Sequence, residues 1–562
     1  MHAERISEAL QEAATGWGVD DIRFRLDRPK EPSHGDLASN IALTLASRLK
    51  RPPRDIAGDL AERLAGIAGV ERIEVAGPGF LNFFLDAGVV GGVLQRIVAA
   101  GSAYGRGEDG AGRRIMVEFV SANPTGPLHL GHGRQAALGD VIARLLEWSG
   151  WNVHREFYFN DAGRQITRLA ETVRARYRQL LGHDEPIPEG GYHGEYVVEI
   201  ASAFLEREGR RYENDGGEAA LAAMRHFAVD VLRDEQKRDL AGFNVRFDEY
   251  YSERSLYSDG RVEATIRALE ATGLTYGHEG ALWLRTTRFG DQKDRVMVKG
   301  DGSATYFLPD VAYHMSKWER GFREVVNVQG SDHHGTVDRV RAGLQALGRP
   351  EGYPEYLLHQ MVTVERGGEE VRFSKRSGSY TTLAELVDEV GADVARYFFL
   401  MRRPEAHLTF DLDLALDQSD KNPVYKVKYA HARLCRLSEL ARERGWAGAD
   451  SGLAQRADTS RLEAPTEREL INQLGEFPGF LRRAASTRAP HVICDYLDRT
   501  AGLVNTWYQA GHPTRNPGLS ALVGDDELRN ARLTLSLAAR IVLRNGLAIL
   551  GIEAPERMVR DE

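Results

Sequence analysis

Between Arg114 and Tyr158 the chain reads as a strand, a long helix and a second strand, and no other feature restricts the fold so tightly. Ile115, Val117 and Phe119 recur at every second residue, the period of a strand. Val141, Ile142, Leu145, Leu146 and Trp148 then follow at helical spacing, and Gly150 stands where such a helix closes. Val153–Tyr158 reads as the next strand. Strand, crossover helix and parallel strand open a doubly wound, Rossmann-like sheet. Ligands of such sheets bind beyond the carboxyl ends of the strands, and the loop Ser121–His132 lies there.

The rest of the chain divides around this unit. At 562 residues a multidomain α/β protein is expected. Residues 1–109 read as a small α+β domain. It has a helix-like stretch at Leu37–Ala46, a strand at Arg72–Ala76, a turn at Gly77-Pro78-Gly79 and a strand at Phe80–Leu85. Gly105–Gly112 reads as a linker. Residues 110–422 form the parallel-sheet domain, with a helical insertion at about 163–243 marked by Leu221, Met224, Ala228, Val231 and Leu232. Residues 423–562 read as an all-α bundle with breaks near Pro478-Gly479 and Pro517-Gly518. The two cysteines, Cys435 and Cys494, are far apart, which argues against a disulfide framework and a cysteine zinc site. The N-terminus is polar and no run of 18 apolar residues appears, so a cytoplasmic protein without a membrane span is expected. The net charge of −9 does not by itself suggest a nucleic acid, although the C-terminal part is mildly basic and permits one.

In the first loop His129 and His132 flank Leu130-Gly131. Gly131 leaves room for a flat ligand, and the helix N-terminus just beyond attracts phosphate. Two imidazoles there can donate to a phosphate as it becomes pentacovalent. Three other readings stay open on the residues alone. The pair could be half a metal site, though no HExxH or cysteine partner accompanies it. The run Gly131–Ala136 fits the dinucleotide pattern GxGxxA, with Glu156 on the next strand, though a long loop separates it from Val120. Both histidines could also be structural. A second loop, Glu370–Ser379, carries Arg372 and Lys375. Cations on a mobile loop can follow the charge growing on a leaving group, whereas a solvated surface turn is the plain alternative.

Together these loops resemble class I aminoacyl-tRNA synthetases. His129-Leu130-Gly131-His132 resembles the His-hydrophobic-Gly-His signature, and Arg372-Phe373-Ser374-Lys375-Arg376 resembles Lys-Met-Ser-Lys-Ser. Phe157–Ile166, Phe247–Glu253, Thr305–Tyr313, Gly330–Gly335, Gly391–Tyr397 and Ala554–Met558 resemble the arginyl branch in particular. Some arginyl enzymes lack the second lysine of that loop and carry one three residues before the first histidine; here Gly126 stands there and Lys375 is present.

The resemblance implies an ATP-dependent ligase that converts L-arginine to arginyl-adenylate and passes it to tRNA(Arg). It implies ATP with Mg2+ as substrate, no zinc or other resident metal, no membrane partner and a monomer. Residues 1–109 would contact the tRNA elbow and residues 423–562 the anticodon. His129, His132, Arg372 and Lys375 would be catalytic. Gly131, Asp332, His333, His334 and Ser374 would join His129, His132 and Lys375 around ATP. Asn123, Glu253, Tyr306, Asp310 and Gln329 would hold arginine, with Asn123 on its α-group.

The chemistry of the substrate fits such a set. Guanidinium is planar and permanently charged, so a selective site needs paired carboxylates and a flat face. Tyr306 and Asp310 are four apart and would share one side of a helix, although Tyr306 as a core aromatic and Asp310 as a helix cap are open too. In the basic stretch Lys421–Arg444, Tyr425 and Tyr429 could stack bases or could face inward in a packed helix. A binding relative that kept the fold and lost the chemistry is the other functional class, and the retained His129, His132 and Lys375 speak against it.

Overall fold

The computed structural model describes residues 2–29, 34–161, 163–371, 380–446, 448–512 and 514–558. Its centre is a five-stranded sheet. In chain order it runs through β1 (Arg114–Glu118), α1 (Leu130–Trp148) and β2 (Asn152–Phe159). Three helices follow: α2 (Gly163–Leu180), α3 (Glu195–Glu208) and α4 (Glu218–Gly242). Then come β3 (Glu249–Ser252), α5 (Glu253–Ser258), α6 (Phe307–Glu319), β4 (Glu324–Gly330), α7 (His334–Ala346) and β5 (Glu355–His359). The spatial order is β5-β4-β1-β2-β3, and every pair is parallel. The strand–helix–strand reading therefore holds, with one difference. Met116 and Glu118 are buried together with Ile115 and Val117, because helices cover both faces of a parallel sheet.

Buried charge on the sheet is compensated. Lys317, fully enclosed on α6, bonds Glu118 and donates to Asn327 Oδ1 at 3.1 Å. Glu156 lies inside β2 and accepts from Arg320 at 2.6 and 2.9 Å and from the Tyr313 hydroxyl at 2.6 Å. Burial alone would raise this carboxyl, but His154 at 3.6 Å, the hydrogen bonds from Arg320 and the nearby Lys317 bring it down to about 2.

The insertion α2–α4 has a core of its own, built on Leu169, Val173, Tyr177, Val197, Phe204, Met224 and Leu232. The N-terminal part is a four-stranded antiparallel sheet backed by His2–Thr15, Ile41–Leu49 and Pro53–Arg63. Here the helix expected over Leu37–Ala46 is corrected. Leu37–Ser39 is a strand paired with Phe80–Leu85, and the helix starts only at Ile41. The glycine-rich 105–112 segment is not a loose linker either. The N–H groups of Gly107, Gly110 and Gly112 donate to the carbonyls of Trp148, Ser149 and Gly150, satisfying the end of α1.

Beyond the sheet come α8 (Ala392–Leu400) and a helical region including α9 (Pro423–Glu443), α10 (His491–Ala510) and α11 (Asp526–Leu550). Pro478 starts a helix, Phe477–Ser486, instead of breaking one, since proline fits the first helical turn. Among the described residues one helix, α11, is long and apolar enough to cross a membrane, but 83% of its apolar window is buried inside the molecule, as in a core helix.

Candidate active site

A cavity of about 1320 Å³ opens at the carboxyl ends of β1, β2, β4 and β5. Its floor begins where β1 turns. Val120 and Ser121 have φ of 69° and 47°, a left-handed conformation costly for a β-branched residue. Surrounding contacts hold it. The Val120 side chain is buried, and Ser121 Oγ donates to Glu118 at 3.0 Å. Asn123, next in the loop, donates to Gln165 at 3.1 Å and accepts from the Asn160 N–H at 3.2 Å.

The two histidines cap α1 together. His129 is the N-cap and accepts from His132 N–H through Nδ1, while His132 Nδ1 accepts from His129 N–H, both at 3.3 Å. The rings stack with centroids 3.6 Å apart. With Nδ1 used as acceptor, each neutral ring carries its proton on Nε2. Burial lowers the pKa of His129, and burial, His129 and His359 hold that of His132 well below the ordinary range. The pair is therefore neutral and offers Nε2–H donors at the positive end of a helix. Gly131 keeps the cap compact: a Cβ there would lie 3.0 Å from the His129 ring.

The opposite end is acidic. Glu253 opens α5, and Tyr158 donates to it at 2.7 Å. Asp161 fixes that turn by accepting from Ser252 Oγ at 2.7 Å and Arg254 N–H at 3.3 Å. Asp310, in the first turn of α6, faces the same cavity. Its pKa is pushed up to about 7, by burial first and then by Glu253. Glu253 is raised as well, by burial and by Asp161. Tyr306 is not a core aromatic: it precedes the first residue of α6 and is 83% exposed on the cavity wall. Asp310 makes no side-chain cap, so neither bland reading describes these two residues.

Gln329, next to last in β4, faces the cavity, and its buried Oε1 has no hydrogen-bond partner among the described residues. Asp332 and His333 lie exposed on the rim. His334, expected beside them, begins α7 and is not among the lining residues. Arg372, Ser374 and Lys375 lie outside the described residues, but Glu370, Val371, Tyr380 and Thr381 on either side of that segment line the cavity. Sequence reasoning missed Gln165, Tyr158, Arg339 and His359, which also line it. His359 ends β5, so the strand-end rule could have found it; burial first, then the charge of Arg134, helps bring its pKa down to about 4.

The nicotinamide alternative fails on this geometry. Gly131 and Gly133 lie within α1 instead of at the tip of β1, and Glu156 is consumed inside β2. A cavity with phosphate donors at one end and paired carboxylates at the other suits a cationic amino acid and a nucleotide. Comparison with known families agrees. Residues 94–404 match the catalytic domain of class I tRNA synthetases (R), residues 2–85 the arginyl tRNA synthetase N-terminal domain, and residues 427–558 the DALR anticodon binding domain.

The chain belongs to the arginyl-tRNA synthetase family.

Its similarity to individual members is extensive. The arginine–tRNA ligase of Thiobacillus denitrificans is 49% identical over 96% of this chain and 95% of that protein. That of Methylibium petroleiphilum is 51% identical over 95% of each. The Thermus thermophilus arginyl-tRNA synthetase structure superposes with a TM-score of 0.75, at 25% identity, over 99% of this chain and 100% of that one.

In this synthetase's helical region Tyr425 and Tyr429 stack on each other at 5.8 Å. Tyr425 is buried, which favours the inward reading for that ring. Arg433 lies over both Tyr429 and Tyr508, at 4.6 and 4.7 Å, and borders a second cavity of about 630 Å³.

Proposed function

We propose that the main cavity is where this arginine–tRNA ligase activates its amino acid, with arginine at the Glu253–Asp310 end and ATP at the histidine end. The observation that carries this reading is the opposition of two chemistries across one cavity. Neutral imidazoles backed by a helix N-terminus stand at one end, and two carboxylates with raised pKa values stand at the other.

Asn123 and Gln329 hold the α-group of arginine, and Tyr306 covers the guanidinium. The arginine carboxylate attacks the α-phosphorus of ATP. The bond to the β-phosphate oxygen breaks, and pyrophosphate leaves. His129 and His132 donate to the phosphate oxygens as charge develops, and Gly131 lets the nucleotide lie close. The cations at Arg372 and Lys375, with Ser374, follow the pyrophosphate; this assignment rests on the resemblance of the second loop. Asp332 and His333 flank ATP, and His334 has the weakest support. The terminal ribose hydroxyl of tRNA then attacks the arginyl carbonyl, and AMP leaves. Positioning and preorganised donors carry both steps, with no covalent enzyme intermediate. Mg2+ accompanies ATP. A phosphate-bound Mg2+ commonly takes one or two carboxylates from protein, and Asp332 beside the histidines fits that donor set.

Residues 1–109 act on the tRNA elbow and residues 423–562 on the anticodon, flanking a catalytic domain of residues 110–422. The three family matches fall within these bounds, apart from the first residues of the catalytic match. The protein acts as a cytoplasmic monomer without zinc. Mixing protein, ATP, arginine and total tRNA tests the reading. Arginine-dependent release of AMP and pyrophosphate is expected, and tight tRNA binding without release would overturn it.

A further inference from the structure

The loop that carries Asn123 and leads to His129 has little regular structure of its own, yet its carbonyls are systematically held. Leu128 O accepts from Leu383 N–H at 2.7 Å, and Pro127 O accepts from the Tyr380 hydroxyl at 3.1 Å. Both donors follow the second signature segment. Three further carbonyls are held by the helical insertion, although that of Asn123 also accepts from Thr125 N–H at 2.8 Å within the loop. Thr125 O accepts from the Tyr196 hydroxyl on α3 at 2.8 Å. Gln236 on α4 spends its amide Nε2 on two carbonyls, Asn123 O at 3.1 Å and Gly126 O at 3.0 Å.

Gln236 is 3% exposed. A buried amide on a helix ordinarily serves its own packing. This one reaches out of the insertion to span four residues of the loop where arginine and ATP meet. One amide nitrogen has two protons, so both are committed, and the two carbonyls are fixed at one separation. Asn123 is then held from three directions: its carbonyl by Gln236, its side-chain nitrogen by Gln165 and its side-chain oxygen by Asn160.

We infer that Gln236 is a positioning residue for arginine activation, setting the placement of Asn123 through the loop backbone. It does not line the cavity, and the inference rests on the reading of Asn123 as an arginine contact. The insertion is thereby tied to the site and does more than decorate the sheet. A side chain that matches its length but cannot donate should leave the helix intact and let the loop drift. Loss of about an ångström of placement is enough to cost on the order of a hundredfold in rate.

The test uses the full-length enzyme with tRNA and compares Gln236→Met, Gln236→Glu, Asn123→Ala and the double variant Gln236→Met/Asn123→Ala. Met keeps length and packing without a donor; Glu replaces the donor by an acceptor that faces two carbonyls. Both Gln236 variants are expected to lower kcat/KM for arginine about tenfold or more, chiefly through kcat, with the KM for ATP and tRNA affinity nearly unchanged; the melting temperature should fall modestly for Met and further for Glu, whose buried carboxylate would face two carbonyls. In the Asn123→Ala background the added effect of Gln236→Met should shrink to less than about twofold, because both changes remove the same placement. Wild-type kcat/KM in both Gln236 variants would overturn the inference. So would fully additive effects, or a loss of tRNA affinity and melting temperature in step with activity. An inert Asn123→Ala would instead remove the underlying reading of Asn123, which separates the two failures.

Discussion

The histidine pair does two jobs with different nitrogens, so single substitutions should separate them. Nδ1 of His129 caps α1, and Nε2 remains to meet phosphate. Asparagine is a good N-cap and can replace the Nδ1 acceptor, but it lacks a donor at the Nε2 position. His129→Asn should therefore keep its melting temperature and slow adenylation by roughly a hundred- to a thousandfold, the effect of losing one transition-state donor. His129→Gln places an amide N–H near the Nε2 position and gives up the cap. It should keep more of the rate and lose about 1 kcal/mol of stability. Single-turnover rates and thermal unfolding decide the matter, and equal rates in the two variants would contradict the division.

Asp310 makes a prediction about pH. In the folded protein its carboxyl is raised to about 7, whereas its unperturbed value is 3.8. A raised acid stabilises the fold below its unfolded value and loses that contribution as pH rises through its folded value, so the empty protein should weaken between about pH 4 and 7. Bound guanidinium favours the ionised form, so protons compete with arginine. The arginine Kd, measured with tRNA present, should rise as pH falls from 8 to 6. Asp310→Asn should weaken arginine throughout and flatten the profile. A wild-type profile that is already flat would remove Asp310 from the guanidinium site.

At the scale of elements, α1 must lie close enough to β1 to aim its first turn into the cavity, and Gly139 permits that approach. A Cβ at 139 would fall 2.1 Å from Phe119 Cγ. Alanine normally favours a helix interior over glycine by about 1 kcal/mol. Here overpacking should win. Gly139→Ala is expected to lower stability by about 2 kcal/mol in urea unfolding and to slow adenylation, because displacing α1 moves both histidines. A stabilised variant would show that helix and strand separate freely.

The legible part of the fold is the part whose period is local. β1, α1 and β2 follow from apolar spacing, and the rule that ligands gather at strand ends marks the loop after β1 that carries His129 and His132, whereas Asn123 and Gln329 come from the family resemblance alone. Leu37–Ser39 was hidden because its partner strand lies more than forty residues on, at Leu81–Phe83, and only that pairing distinguishes it from the helix it precedes. Gly105–Gly112 looked like a linker by composition, but Gly110 is there because a Cβ would meet Trp151 N at 2.5 Å. Gln165, Gln236 and Arg339 enter the site from helices whose own pattern does not mark the face that points at the loop or cavity. Their roles come from the packing of α2, α4 and α7 and could not be read locally.

At the scale of the whole molecule, the parts meet on one side chain. Arg396 of α8 is fully buried and bonds Asp140 of α1 at 2.5 Å. It also donates to the carbonyl of Leu550 at the end of α11 and to that of Phe243 just after α4, both at 2.9 Å. The helix bearing the histidines, the insertion and the C-terminal bundle thus share one guanidinium. Burial lowers the pKa of Arg396, but Asp140 counters this and the side chain remains a cation. Lysine would keep the charge but lose the fork, which reaches three partners in different directions. Asp140 would retain Arg144 at 2.8 Å, whereas the two carbonyls would lose their charged donor. Arg396→Lys should therefore cost about 3 kcal/mol of stability, toward the low end for breaking a buried ion pair. The functional loss should be uneven. The tRNA contacts proposed for residues 1–109 and 423–562 do not include Arg396, so tRNA affinity should change less than about threefold. Aminoacylation should fall about tenfold or more, because the bundle no longer holds α1 and the insertion in one arrangement. Equal losses in affinity and rate would mean that Arg396 only supports folding, and an unchanged rate would mean that the three parts are aligned by other contacts.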